Sequence, residues 1–157
     1  SLPVVFVCEN NQYGMSMAVD KATAGGSIVR RADAYGLPGE VADGNDVVDV
    51  FQKTSQAIAR ACEGGGPTLI EAVTYRYRGH SKSDRNLYRT VDEIEQWRRS
   101  RDPLDRYEAR AIDDGLLAPE QLEECRLEAR DAVRRAVEAA FRAPDADPAD
   151  LKGAVYA

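Results

Sequence analysis

One segment restricts the fold more than any other: "LPVVFVC", residues 2–8, an apolar run with no polar face that leads at once into "ENNQYGMS". A strand that alternates can leave one side in water, whereas a uniformly apolar one belongs in a parallel sheet covered on both faces. That sheet needs neighbours which this chain supplies sparingly, so further chain is expected ahead of Ser1.

The rest of the first half fits an α/β plan. "GSIVRRADAYG" has the spacing of a short helix ended by Gly36, and "LPGEVADGND" puts turns around a short strand, with Asn45 or Asp46 placed to cap the next helix. Val47, Val50, Phe51, Thr54, Ala57, Ile58, Ala61 and Cys62 recur at three- and four-residue steps, which predicts a helix stopped by "GGGP". "TLIEAVTY", residues 68–75, is the second apolar strand. Strand, helix, strand, helix, strand implies a parallel α/β sheet, and ligands sit beyond the carboxyl ends of such strands. Both polar motifs of the chain fall there.

From about residue 91 the pattern is helical: "TVDEIEQWRRS", "DPLDRYEARAIDDG" and a long amphipathic stretch whose apolar stripe includes Leu122, Cys125, Ala129, Val133 and Val137. The division expected is an α/β domain over residues 1–90 and a helical region with a tail over 91–157. In that tail Leu151, Val155 and Tyr156 are free to dock on a partner.

With 43% hydrophobic and 31% charged residues, the balance is that of an ordinary globular domain. The net charge of -6 argues against nucleic acid and anionic lipid as partners, and no stretch is apolar enough to span a membrane. Cys8, Cys62 and Cys125 are odd in number, far apart and set among apolar neighbours, so they read as small core residues in a reducing compartment.

Asn10 and Asn11 admit two readings. Asparagine makes local turns and tolerates left-handed backbone, so a loop is its natural place. Alternatively, an amide oxygen and a nearby carbonyl make hard neutral ligands for magnesium, the remaining positions going to a carboxylate, water and phosphates. The second motif, "TYRYRGHSKSDRNLYRT", residues 74–90, holds His80, the single histidine, and five cations against Asp84, a net +4 on an acidic chain. It is either a solvated basic loop or a seat for a small anion. "GGGP" lacks the Lys and Ser or Thr of a phosphate loop.

"LPVVFVCENNQYGMS" resembles the second half of the thiamine-diphosphate motif in the alpha subunits of 2-oxo acid dehydrogenases, and "TYRYRGHSKSD" with "YRT" resembles the second signature of that family. The resemblance runs from Leu2 to about Asp102. It implies the parallel-sheet thiamine-diphosphate-binding fold in part, with Asn11 (side chain) and Tyr13 (carbonyl) as ligands of Mg2+, Asn10 bracing the loop, Glu9 as a loop-orienting carboxylate, and His80 as the catalytic residue that reaches the diphosphate. Ser81 matches a serine that is phosphorylated in some members. The upstream Gly-Asp-Gly of the metal motif is not in this chain, and "ADGND", residues 42–46, comes in the wrong order to replace it.

The activity implied is decarboxylation of a 2-oxo acid, pyruvate favoured, with transfer of the acyl unit to the lipoyl group of a partner acyltransferase. A beta subunit and the N-terminal part of the alpha subunit are the other implied partners, in a heterotetramer, and this chain by itself is expected to be inactive. An acetoin dehydrogenase alpha subunit and a non-catalytic fold fragment or dimerisation module stand as alternatives. The location implied is cytoplasmic, in a bacterial-type complex, with the mitochondrial matrix left open.

Overall fold

A computed structural model of the chain describes residues 1–153, apart from the side chain of Lys152. Val155 and Tyr156 lie outside the described residues. By backbone contacts the chain forms two compact units, Ser1–Arg110 and a second that begins at Ala111.

The first unit is built on three parallel strands: β1 (Val5–Asn10), β4 (Gly39–Asp43) and β5 (Thr68–Val73), in the order β1-β5-β4. Between β1 and β4 lie a small hairpin, β2 (Tyr13–Gly14) with β3 (Met17–Ala18), and two one-turn helices, α1 (Val19–Ala22) and α2 (Arg31–Ala34). The predicted helix α3 (Val47–Cys62) connects β4 to β5, and its Ala57 packs with Ala42 and Ile70, flanked by Val5 and Val50, to form the core. Asn10 pairs with Val73 and so does Asp43, so all three strands end at one level. This alignment puts the loops after β1, β4 and β5 along a single edge, the place where parallel α/β sheets bind ligands.

Among the described residues β1 is a border strand paired with β5 alone, and Phe6 and Val7 are 50% and 55% exposed, in keeping with an apolar strand to which the chain supplies few neighbours. The buried strand is β5, where Ile70 and Glu71 are enclosed. The cysteines are not core either: Cys8 is half-buried, Cys62 and Cys125 exposed.

The turn after β4 decides between the two expected caps. Asp46 is the cap of α3, accepting from the amides of Val48 and Asp49, and it does this work without Asn45. Asn45 is 3% exposed. Its Nδ2 donates to the Arg101 carbonyl at 2.6 Å and its Oδ1 accepts from Thr74 Oγ1 at 2.5 Å. Gly44 permits the fit, since a Cβ there would lie 2.9 Å from the Val73 carbonyl oxygen. Arg106 closes the corner with ion pairs to Asp43 and Asp46. The "DGND" turn thus ties the ends of β4 and β5 to α4 (Val91–Arg101) and α5 (Pro103–Asp113).

The second unit contains α6 (Pro119–Arg142) and α7 (Asp150–Gly153). The outer faces of α6 carry ion pairs at three- and four-residue spacing, such as Arg134 with Asp131 and Glu138, and no residue of the helix is buried. Its predicted apolar stripe is therefore open, with Val133 and Val137 exposed, as is Leu151 of the tail. Among the described residues no helix is long and apolar enough to cross a membrane.

Candidate functional site

The asparagine loop starts from the last residue of β1. Asn10 is buried, and its Nδ2 donates to Glu71 Oε1 at 2.7 Å. Its Oδ1 accepts from the amide of Gln12 at 3.1 Å, and its carbonyl accepts from Gln12 Nε2 and from the Thr74 amide. These bonds hold Gln12 at φ +73°, a left-handed conformation that a non-glycine residue adopts only when its surroundings fix it. Asn11 then forms an Asx turn, its Oδ1 accepting from the Tyr13 amide at 3.2 Å.

Asn10 thus braces the loop as expected. Glu9 does not: it is exposed, and its side chain forms no hydrogen bond or ion pair among the described residues. The orienting carboxylate is Glu71, 2% exposed, whose Oε2 accepts from Ser27 Oγ at 2.5 Å and the Val29 amide at 2.8 Å. Burial pushes its pKa up, but the hydrogen bonds from Ser27, Val29, Asn10 and Ile28 outweigh that and leave it below the ordinary carboxylate value. Sequence inspection missed it because an acid within "TLIEAV" carries no sign of which partners the fold will bring.

The histidine loop hangs on two residues. Arg89 is 8% exposed, its guanidinium lying 5.2–5.7 Å from the ring centres of Tyr13, Tyr75 and Tyr88 while donating to the carbonyls of Arg76 and Tyr77 and to Asn86 Oδ1. Asp84 accepts from the amides of Asn86 and His80 and from the Tyr88 hydroxyl, all within 2.8 Å. Those bonds, Asn86 first, hold its carboxyl below the usual value. Gly79 makes room, for a Cβ there would lie 2.9 Å from Asp84. His80 has its backbone fixed and its ring exposed, and Ser81 is exposed with its hydroxyl 3.0 Å from that of Ser83.

The two loops are joined at their bases. The Arg76 amide donates to the Asn11 carbonyl, and its guanidinium donates to the carbonyls of Tyr13 at 3.3 Å and Met15 at 2.6 Å and to the Tyr88 hydroxyl at 2.9 Å. Beneath them, Tyr13 and Tyr75 both donate to Glu93 Oε1 at 2.8 Å, and Tyr75 stacks on Trp97. Burial, reinforced by Glu93, pushes both phenols up to about 12, so they stay protonated donors. A neighbouring cavity of about 350 Å³ is lined by Tyr13, Tyr75 and Trp97 with the acids Asp20 and Glu93, which makes it a poor seat for an anion.

Asn11 Oδ1 and the Tyr13 carbonyl are neutral hard oxygens of the kind magnesium takes, and the Tyr13 carbonyl already attracts a cation in Arg76. They fit as two members of a larger ligand set. Among the described residues no group of three or more His, Cys, Asp and Glu gathers to supply the rest.

The family model for the dehydrogenase E1 component matches residues 1–149. The chain belongs to that family. It is 37% identical over 99% of its length to the pyruvate dehydrogenase E1 component subunit alpha of Porphyra purpurea. Over the same 99% share it is 41% identical to the 2-oxoisovalerate dehydrogenase subunit alpha of Bacillus subtilis. It is 38% identical to the alpha subunit of acetoin:2,6-dichlorophenolindophenol oxidoreductase of Cupriavidus necator, also over 99% of its length. The chain covers 45%, 47% and 47% of these relatives, less than half the length of each.

Proposed function

We propose that this chain forms the metal-and-diphosphate side of a thiamine-diphosphate-dependent dehydrogenase alpha subunit. Its reaction is the oxidative decarboxylation of a 2-oxo acid, pyruvate first, with the acyl unit passing to the lipoyl group of a partner acyltransferase. The observation that carries this reading is the hydrogen-bonded junction of the asparagine and histidine loops at the carboxyl ends of adjacent parallel strands.

In this reading Asn11 Oδ1 and the Tyr13 carbonyl take two positions on Mg2+, and the rest come from the diphosphate, water and a carboxylate outside residues 1–157. When bound, thiamine diphosphate supplies the carbanion chemistry of decarboxylation. The chain's own residues hold and orient. Asp84 and Arg89 fix the histidine loop so that the His80 ring is presented outward, where it can donate to a phosphate oxygen. The +4 charge of residues 74–90 attracts the anionic end. A phosphate on Ser81 would place like charge beside that end and repel it.

A beta subunit partner follows from the alpha-subunit names of the relatives, and the acetoin reading is kept by the Cupriavidus relative. The test is calorimetry with Mg2+ and thiamine diphosphate on the complete alpha–beta assembly. Turnover with pyruvate, branched-chain 2-oxo acids and acetoin then follows. Magnesium-dependent binding with pyruvate as the best substrate supports the proposal. An assembly that ignores the cofactor is a non-catalytic module.

A further inference from the structure

We infer that Glu71, on the central strand, is the positioning residue that sets the metal-binding loop, and that it acts through one bond, Glu71 Oε1 to Asn10 Nδ2. The claim rests on the function proposed above, because it concerns how Asn11 and Tyr13 are presented to Mg2+.

The two oxygens of this carboxylate have separate duties. Oε2 receives Ser27 Oγ and the Val29 amide, which fastens the segment before α2 to the sheet. Oε1 receives Asn10 Nδ2 at 2.7 Å. That bond fixes which way the Asn10 amide faces, and so leaves Asn10 Oδ1 to receive the Gln12 amide. Gln12 in turn holds the left-handed step that delivers the Tyr13 carbonyl and the Asn11 turn. No cation pairs with Glu71 among the described residues, so donors alone satisfy it.

A carboxylate is needed because every group facing it is a donor. In Glu71→Gln, the amide oxygen goes to the side with more donors, Ser27 and Val29, and the new NH2 group faces the NH2 of Asn10. Either the two amides repel, or Asn10 flips and turns an NH2 group toward the Gln12 amide. Both outcomes release Gln12. Asn10→Asp alone sets two carboxylates against each other. Together, Asn10→Asp and Glu71→Gln restore every pairing with donor and acceptor exchanged and the total charge unchanged.

The experiment uses the complete alpha–beta assembly and reads amide hydrogen exchange at Gln12 and Tyr13 without cofactor, together with the Mg2+ concentration needed for thiamine diphosphate binding. Each single variant should speed exchange and raise the magnesium requirement about tenfold or more, the usual effect of removing a ligand's support. The double variant should return exchange close to the parent's, a large coupling energy. Ser27→Ala, which touches only Oε2, should lower the melting temperature and leave the magnesium requirement where it was.

A single variant that fails to assemble, rescued by the double, also supports the claim. It is overturned if the double is as impaired as the worse single, or if Ser27→Ala moves Gln12 exchange as far as Asn10→Asp does. An assembly that never binds Mg2+ and thiamine diphosphate overturns the proposed function, and the exchange measurements still decide the role of Glu71.

Discussion

The asparagine loop and the histidine loop leave neighbouring strands side by side, yet they are held in different ways. The first is tied down from inside: Glu71, buried in β5, reaches it through Asn10, and the bonds of Asn10 and Asn11 to Gln12 and Tyr13 carry that anchor along the loop. The second is long, basic and exposed at its tip, and it is held by Arg89 at its base and by Asp84 within itself. Both place non-glycine residues in left-handed backbone, Gln12 and Met15 in the first and Asn86 in the second. The comparison teaches that anchoring to a buried carboxylate fixes backbone and side-chain oxygens closely, whereas a loop held at its base and by one exposed carboxylate leaves the side chains at its tip in solvent.

The largest expected effect breaks the second loop at that root. Arg89→Ala removes bonds to two carbonyls and Asn86 and leaves those acceptors and three rings unsupported, which should cost about 3 kcal/mol or more. Denaturant titration of the assembly should show the midpoint falling with little change in slope. Arg89→Lys should recover only part, since an ammonium cannot match the planar fork.

Next comes a reversal of roles between two asparagines. Asn45→Ala should cost about 1–3 kcal/mol, because it strands the Arg101 carbonyl and Thr74 Oγ1 in a buried corner. Asn11→Ala should cost less than about 1 kcal/mol in stability, since it loses one local turn bond. The order inverts for the metal: Asn11→Ala should raise the magnesium requirement by at least about tenfold, and Asn45→Ala should change it little. Melting and calorimetry on the same samples separate the two, and parallel effects on both readouts would deny that the oxygens of the first loop bind metal.

How far sequence pattern could foresee this is visible in those residues. Period and stop signals located β1, α3, β5 and the later helices, because those signals are local. The apolar composition of β1 says that its faces want cover, and the exposure of Phe6 and Val7 agrees with the reading that this chain supplies few neighbours for it. Asn45 and Asp46 are both good caps on paper, and only the fold, which commits the Asn45 side chain to Arg101 and Thr74, decides between them. The motifs pointed to Asn11, Tyr13 and His80, which the fold assembles on one edge. The supports Glu71 and Glu93 come from places up to 80 residues distant, as the Tyr13 to Glu93 bond illustrates, and no local pattern marks them, whereas Asp84 and Arg89 lie within the second motif and only the fold shows what they hold.

A smaller effect sharpens the contrast between inside and outside anchoring. Asp84→Asn has one acceptor oxygen where Asp84 used two, so either the Asn86 amide or the His80 amide and Tyr88 hydroxyl lose their partner. Trypsin should cut at Arg78, Lys82 and Arg85 about threefold to tenfold faster, the equivalent of one ordinary hydrogen bond. Acid should do the same. The Asp84 pKa is lowered on folding, so its contribution is complete above the ordinary value of 3.8 and is lost as pH falls through the lower folded value. Amide resonances of His80 and Asn86 that stayed unchanged through that range would remove Asp84 from this role.

The smallest effect concerns the left-handed residues. Gln12→Gly relieves roughly 1 kcal/mol of backbone strain at φ +73° but gives up the Nε2 bond to the Asn10 carbonyl and adds freedom to the unfolded chain, terms of about the same size. Its net effect on stability should lie within about 1 kcal/mol, and Gln12→Ala, which keeps the strain and loses the bond, should be the worse of the two. Asn86→Gly should be costlier than Gln12→Gly, because Asn86 Oδ1 receives the buried Arg89 and its side chain tolerates left-handed backbone. Denaturant midpoints for the three variants give the order directly. If Gly and Ala at position 12 proved equal, the side-chain bond rather than backbone strain would be what Gln12 contributes, and the internal anchor through Asn10 would carry the loop's conformation unaided.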